Sequence, residues 1–381
     1  THDVIFPGWD ADATYFLSEL DAVRQPSIQA GRPDTDIATG QYDYAIITHP
    51  SFAAGLQPLL AAREAEGYAI KVVDVRDIYA QYSHGIFDAQ AIRDYLTDAI
   101  PQMGVEYVLL VGGDTRDYRG YGENSGISFL PSLYTQTYRT TQHGAADPLY
   151  VDADGDLLPD AAIGRFPVRT TTELATVIQK TLNYSNQNRT AIFTADNYDG
   201  ISYADLSNGF AANLPSSWQS VYAYLDNLAT TDAKSKLVEA INGGVGLVNY
   251  FGHSNPDRWT FDGLFATTDI AQLTNTEMPS AVLQYGCWSS YYIHPDYDSM
   301  SEALLLADSG AAIVLGATGL TTVSSDVVLG NRLSPLLTTP NKTVGKAVLE
   351  AKQALGNGAN LKDVTLGWIL FGDPTLVLDP N

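Results

Sequence analysis

The chain has 381 residues, 45% of them hydrophobic, and carries 44 Asp+Glu against 21 Lys+Arg for a formal net charge of −23. That apolar content builds cores and excludes an intrinsically disordered chain. The acidic excess excludes a nucleic-acid binder, which needs clustered cations against phosphate, and disfavours attachment to anionic lipid.

The longest apolar runs, Val105 to Gly113 and Ala311 to Leu320, are about ten residues, well short of the ~20 that span a bilayer. Thr1-His2-Asp3 lacks the basic-then-apolar opening of a signal peptide, so the chain reads as a mature or excised piece of a secreted protein. Cys287 is the single cysteine, which excludes an internal disulfide. Outside the cell, such a chain relies on core packing or bound metal ions.

Residues 1–40 show little periodicity and read as a leader or linker arm. From Tyr42 a regular alternation begins. Strands are predicted at Tyr44–Thr48, Ala69–Val75 and Tyr107–Val111, with helices at Ala53–Glu66 and Asp88–Ile100. A Tyr- and Gly-rich stretch, Thr115 to Tyr150, follows. Ile163–Val168 reads as a strand and Thr172–Ser185 as a helix. Beyond residue 188, strands are predicted at Ala191–Ala195, Ser220–Leu225, Val245–Tyr250, Ala281–Gly286, Ala311–Ala317 and Pro374–Leu378. Helices are predicted at Leu206–Asn213, Asp232–Ile241, Ser299–Ala307 and Thr343–Leu355. This is an α/β pattern: two doubly wound, mostly parallel sheets flanked by helices, over residues 41–187 and 188–381.

In such sheets ligands sit beyond the carboxyl ends of the strands. Val245–Tyr250 runs into Phe251-Gly252-His253, and Ala281–Tyr285 runs into Gly286-Cys287. If those strands are neighbours, a thiol and an imidazole share one rim, an arrangement suited to nucleophilic catalysis. The competing reading is a buried, unreactive cysteine beside a structural histidine. His294, seven residues after Cys287, is the rival base.

The stretch Asp147 to Asp160 spaces Asp152, Asp154, Asp156 and Asp160 around Gly155, which suits calcium, although a solvated acidic turn has the same composition. It lacks the terminal Glu of an EF-hand. The scattered histidines contain no His-Glu-x-x-His, which argues against catalytic zinc. Gly112-Gly113-Asp114 completes no dinucleotide or phosphate-loop pattern.

Several segments together carry a resemblance: Asn249-Tyr-Phe-Gly-His253 followed by Trp259, Tyr285-Gly-Cys287, Ile163-Gly-Arg-Phe166, Tyr107-Val-Leu-Leu-Val-Gly112 and Phe371-Gly-Asp-Pro-Thr-Leu376. From about Tyr42 to Asp379 the chain resembles the gingipain-type cysteine endopeptidases of the caspase-like clan. The resemblance implies a caspase-like fold and a secreted enzyme that hydrolyses peptide bonds through an acyl-thioenzyme, without a catalytic cofactor. Cys287 would be the nucleophile and His253 the general acid/base. The N–H groups of Cys287 and Ser254, which replaces the family's Gly, would hold the oxyanion. Asp196 would steer the histidine. Asp205 and Trp259 would shape a pocket for Arg or Lys before the scissile bond, with Phe251 and Tyr285 narrowing it. Relatives are calcium-stabilised, and an inhibitory pro-segment is a further implied partner. Two alternatives stay open: a sortase-like transpeptidase of the same family, and a catalytically idle binding or adhesion module.

Overall fold

The computed structural model describes residues 31–122, 126–184 and 188–379. The arm expected over residues 1–40 lies outside the described residues up to residue 30. In chain order the strands are β1 (Tyr44–Thr48), β2 (Ile70–Asp74), β3 (Tyr107–Val111), β4 (Tyr134–Thr135) and β5 (Gly144–Ala145). Next come β6 (Ala162–Phe166), β7 (Thr190–Ala195), β8 (Gln219–Tyr224), β9 (Leu247–Phe251) and β10 (Ser254–Asn255). The last are β11 (Arg258–Trp259), β12 (Phe265–Ala266), β13 (Ser280–Tyr285), β14 (Ala311–Ala317) and β15 (Trp368–Phe371).

Ten of these form one sheet in the order β2-β1-β3-β6-β15-β14-β13-β9-β7-β8. Neighbours are parallel except β14 and β15. β1, β3, β9, β13 and β14 are buried along their whole length, as parallel strands covered on both faces must be. The α/β, mostly parallel, helix-flanked architecture matches the expectation. The two halves, however, share a single continuous sheet rather than forming two.

β15 makes the join. It runs back antiparallel beside β14, with Ala317 opposite Trp368, and pairs in parallel with β6 at Phe371 and Arg165. The expectation placed the last strand at Pro374–Leu378, where Val377 makes only an isolated bridge to Thr343. The seam is tight: a Cβ on Gly164 would lie 2.3 Å from the Gly372 carbonyl oxygen. Because β15 reverses direction, β14, β13, β9, β7 and β8 point opposite to the strands of the first half. Their carboxyl ends therefore line a separate lip.

Two buried polar clusters tie the seam. Arg165, fully buried, donates Nε and Nη2 to Asp147 (2.7 and 2.8 Å) and Nη1 to the Gly112 and Leu130 carbonyls. Asp373 accepts from Tyr44 Oη and Arg63 Nε, both at 2.8 Å. The Ile-Gly-Arg-Phe and Phe-Gly-Asp-Pro segments are thus structural clasps.

Candidate active site

β9 lies between β7 and β13, with Phe251 opposite both Ala195 and Tyr285. The ladder continues one step, through Asp196 N–H to the Phe251 carbonyl and Gly252 N–H to the Tyr285 carbonyl, each at 3.0 Å. Asp196, Gly252 and Gly286 therefore stand abreast at the lip, and His253 and Cys287 follow on adjacent strands. Both glycines are required by space. A Cβ on Gly286 would lie 2.5 Å from the Gly252 carbonyl oxygen, and one on Gly252 would lie 2.3 Å from Asp196 Cβ.

Asp196 does not touch the imidazole. Its buried carboxylate accepts the backbone N–H of His253 at 3.0 Å, because its Cβ already abuts Gly252 and the side chain is too short to pass the turn. The ring contact belongs to Asp199, whose Oδ2 is 2.7 Å from His253 Nε2, with the Tyr203 hydroxyl 3.2 Å from the same nitrogen. Tyr203 also donates to Asp199 at 3.3 Å. Facing a carboxylate, Nε2 carries the proton, which leaves Nδ1 as the basic nitrogen. The His253 bond draws the Asp199 carboxyl below its ordinary value, whereas burial pushes Asp196 up. Phe261, largely exposed, lies 4.9 Å from the imidazole ring. The loop Asn197 to Tyr203 reads as an ordinary turn in sequence, and only the fold brings its acid to the histidine.

The chain kinks immediately after Cys287. Trp288 holds φ of 63°, strained for a bulky residue by about 1–3 kcal/mol, and its N–H bonds the Gly319 carbonyl at 2.9 Å. Cys287 is partly exposed. Burial raises its thiol above the ordinary cysteine value, so the resting sulfur is protonated. Ser254 is not among the residues with positive φ, so no glycine-only conformation is needed there. Its hydroxyl donates to the Cys287 carbonyl at 2.6 Å, tying the histidine and cysteine loops together through a group glycine lacks.

The sequence model of Peptidase family C25 matches residues 37–379. The chain belongs to peptidase family C25. This is a family of cysteine-type endopeptidases. Gingipain R2 of Porphyromonas gingivalis (strain W83) is 24% identical over 323 residues, covering 76% of this chain. The chain spans about two fifths of that relative's length, 40%. Among solved structures, the complex of P. gingivalis RgpB pro- and mature domains superposes with a TM-score of 0.73 at 21% identity, over 89% of this chain and 79% of that one. The Arg-specific cysteine proteinase gingipain R gives 0.72 at 20% identity, over 91% and 80%. These likenesses establish the caspase-like fold.

The fold does not gather the four residues expected around an Arg/Lys pocket. Trp259 is fully buried, donates Nε1 to Gln284 at 2.7 Å and stacks on Tyr250 at 4.7 Å. Phe251 and Tyr285 point from the sheet into the helical layer, around Phe210 and Trp368. Asp205 is exposed in the first turn of helix Tyr203–Ala211, its N–H capped by Ser202. Phe251 and Tyr285, two before His253 and Cys287, end strands that are buried along their whole length and are therefore core positions. The rival base His294 is held elsewhere, between Arg116 Nη2 at 2.8 Å and the Asp296 N–H at 3.2 Å.

In the acidic loop, Asp152, Asp154 and Asp156 present carboxylate oxygens within 4.8 Å of one another. Asp160 is not part of that group; it accepts the Ala153 N–H at 2.8 Å and closes the loop. Three converging hard oxygens around a Gly155 turn fit calcium, although Arg93, 2.9 Å from Asp152, already neutralises one carboxylate.

The Asp199–His253 contact has a direct check. A depressed carboxyl stabilises the folded state above its ordinary range and loses that contribution as pH falls through the depressed value. Carboxyl-carbon NMR of the wild type should show Asp199 titrating below its ordinary range and moving upward in His253→Phe. Identical titrations would contradict the contact.

Proposed function

We propose that this chain is the catalytic part of a secreted cysteine endopeptidase acting on protein or peptide substrates. The observation that carries the reading is the sulfur and imidazole at the ends of adjacent parallel strands in a chain of family C25. Cys287 Sγ attacks the scissile carbonyl carbon. The thiol proton passes through His253 to the leaving amine, the C–N bond breaks, and a thioester remains. Water, deprotonated by His253, then releases the acid and restores the thiol. The N–H groups of Cys287 and Ser254 hold the developing oxyanion. Asp199, supported by Tyr203, steadies the imidazolium, and Asp196 fixes the backbone that carries it.

A preference for Arg or Lys has a single candidate anchor left, the exposed carboxylate of Asp205, and is supported by the likeness to the Arg-specific proteinase gingipain R. The pro- and mature-domain complex among the similar structures supports a pro-segment as a partner of this chain too. Among the described residues no helix is long and apolar enough to cross a membrane.

Wild-type protein should cleave a mixed peptide library and Cys287→Ala should not. Retained cleavage in the variant would end the proposal. Calcium is proposed as a structural ion at Asp152, Asp154 and Asp156. It should raise the melting temperature by several degrees in a chelator-reversible way, and Asp154→Asn/Asp156→Asn should abolish the rise. An equal rise in that variant would remove calcium from this loop.

A further inference from the structure

The polar contacts of the Cys287 sulfur are with Thr321. The Thr321 N–H lies 3.5 Å from Sγ, its carbonyl oxygen 3.8 Å and its hydroxyl oxygen 4.0 Å. The hydroxyl has a second engagement: it donates to Asp326 Oδ2 at 2.7 Å. Asp326 is 2% exposed in the first turn of helix Val323–Leu337, and its Oδ1 is buried without a hydrogen-bond partner. Burial pushes this carboxyl well above its ordinary value, against the Thr321 hydroxyl and the Trp368 indole, which lower it.

Helix capping is not the role of Asp326. The N-cap is Thr322, whose hydroxyl takes the Ser325 N–H at 3.2 Å. Charge neutralisation is not the role either. The nearby group, Asp363, is a second acid, itself pushed up by burial, and accepts the Thr322 N–H at 3.0 Å. What Asp326 does achieve is to fix the Thr321 hydroxyl. With that hydrogen committed to the carboxylate, the lone pairs of Oγ1 face the sulfur.

We propose that Thr321, held by Asp326, is a positioning residue that anchors the resting thiol of Cys287 toward itself and away from the imidazole, so that Cys287 becomes reactive only when a substrate sits between sulfur and His253. The inference rests on the cysteine-peptidase reading. Burial, and after it the Asp326 and Asp363 carboxyls, favour the S–H form, and the contacts with Thr321 oppose them while fixing where the sulfur lies. The charged and titratable groups facing the sulfur are Asp326 and Asp363 from the second-half helices, His253 on the neighbouring strand, and the buried phenols of Tyr203 and Tyr250. Both carboxylates act to keep the proton on sulfur. The His253 ring is engaged at Nε2 by Asp199.

The test is the pH profile of Cys287 alkylation by iodoacetamide, read by mass spectrometry alongside peptide hydrolysis. Asp326→Asn keeps the side-chain shape and removes the titratable carboxyl. It should move the profile to lower pH and speed alkylation at neutral pH about tenfold, the change for one pKa unit. Thr321→Val should also displace the profile, and Thr321→Ser should restore it. Peptide hydrolysis by Asp326→Asn should lose kcat with little change in KM. If Asp326→Asn and Thr321→Val, both folded by circular dichroism, keep the wild-type alkylation profile, the inference is overturned. A displaced profile in a chain that hydrolyses no peptide would uphold the positioning role and overturn the peptidase reading instead. If Asp326→Asn does not fold, the Thr321→Val and Thr321→Ser pair decides alone.

Discussion

Parallel pairing of β9 with β13, closed by two glycines pressed together at the lip, is the constraint from which the rest of the site follows. A Cβ on Gly286 would strike the Gly252 carbonyl, and one on Gly252 would strike Asp196. That approach sets His253 and Cys287 on neighbouring strand ends without any direct bond between them. The Ser254 hydroxyl then locks the two loops from the far side, against the Cys287 carbonyl. Catalytic juxtaposition is thus delegated to the backbone ladder, and the side chains remain free to be held in other ways.

Each reactive side chain is held by partners of its own. The imidazole is tied to Asp199 and Tyr203, and the thiol lies against Thr321. Burial keeps the sulfur protonated, so the site holds no preformed thiolate–imidazolium pair. A substrate carbonyl between the two groups would complete the relay. Such an arrangement limits stray oxidation and alkylation of a solitary cysteine, since reactivity follows thiolate character. The first half supports this lip from a distance. The buried Arg165–Asp147 clasp and the Asp373 cluster fasten β6, β1 and the C-terminal segment into the same sheet.

Much of the fold was legible because its strands are short apolar runs separated by amphipathic helices. The matching Gly-His and Gly-Cys exits marked the ends of β9 and β13, but that the two strands are neighbours was only a condition of the reading, which the pairing meets. The helix Val323–Leu337 was not legible: Gly330, Pro335 and three serines weaken its propensity, and it forms because Leu329, Leu333 and Leu337 are buried. β15 was missed because a four-residue strand after Gly367 gives little periodic signal, yet it joins the halves. In the site, Cys287 and His253 were expected from their strand-end positions and Ser254 from the family resemblance. Asp199 and Thr321 were not, since each is a loop residue whose role exists only once distant segments meet. Trp259, Phe251 and Tyr285 were misjudged because aromatic residues beside a reactive group look alike whether they line a pocket or fill a core.

The most direct test is the rate at which a peptidyl acyloxymethyl ketone, a reagent that needs both sulfur and imidazole, modifies the single cysteine in wild type and in His253→Ala. One adduct per wild-type chain, located at Cys287, and a rate at least a hundredfold lower in the variant (about the smallest effect of losing a general acid/base) are the predicted results. Equal rates in the two folded proteins would show that the imidazole plays no part in the chemistry of Cys287.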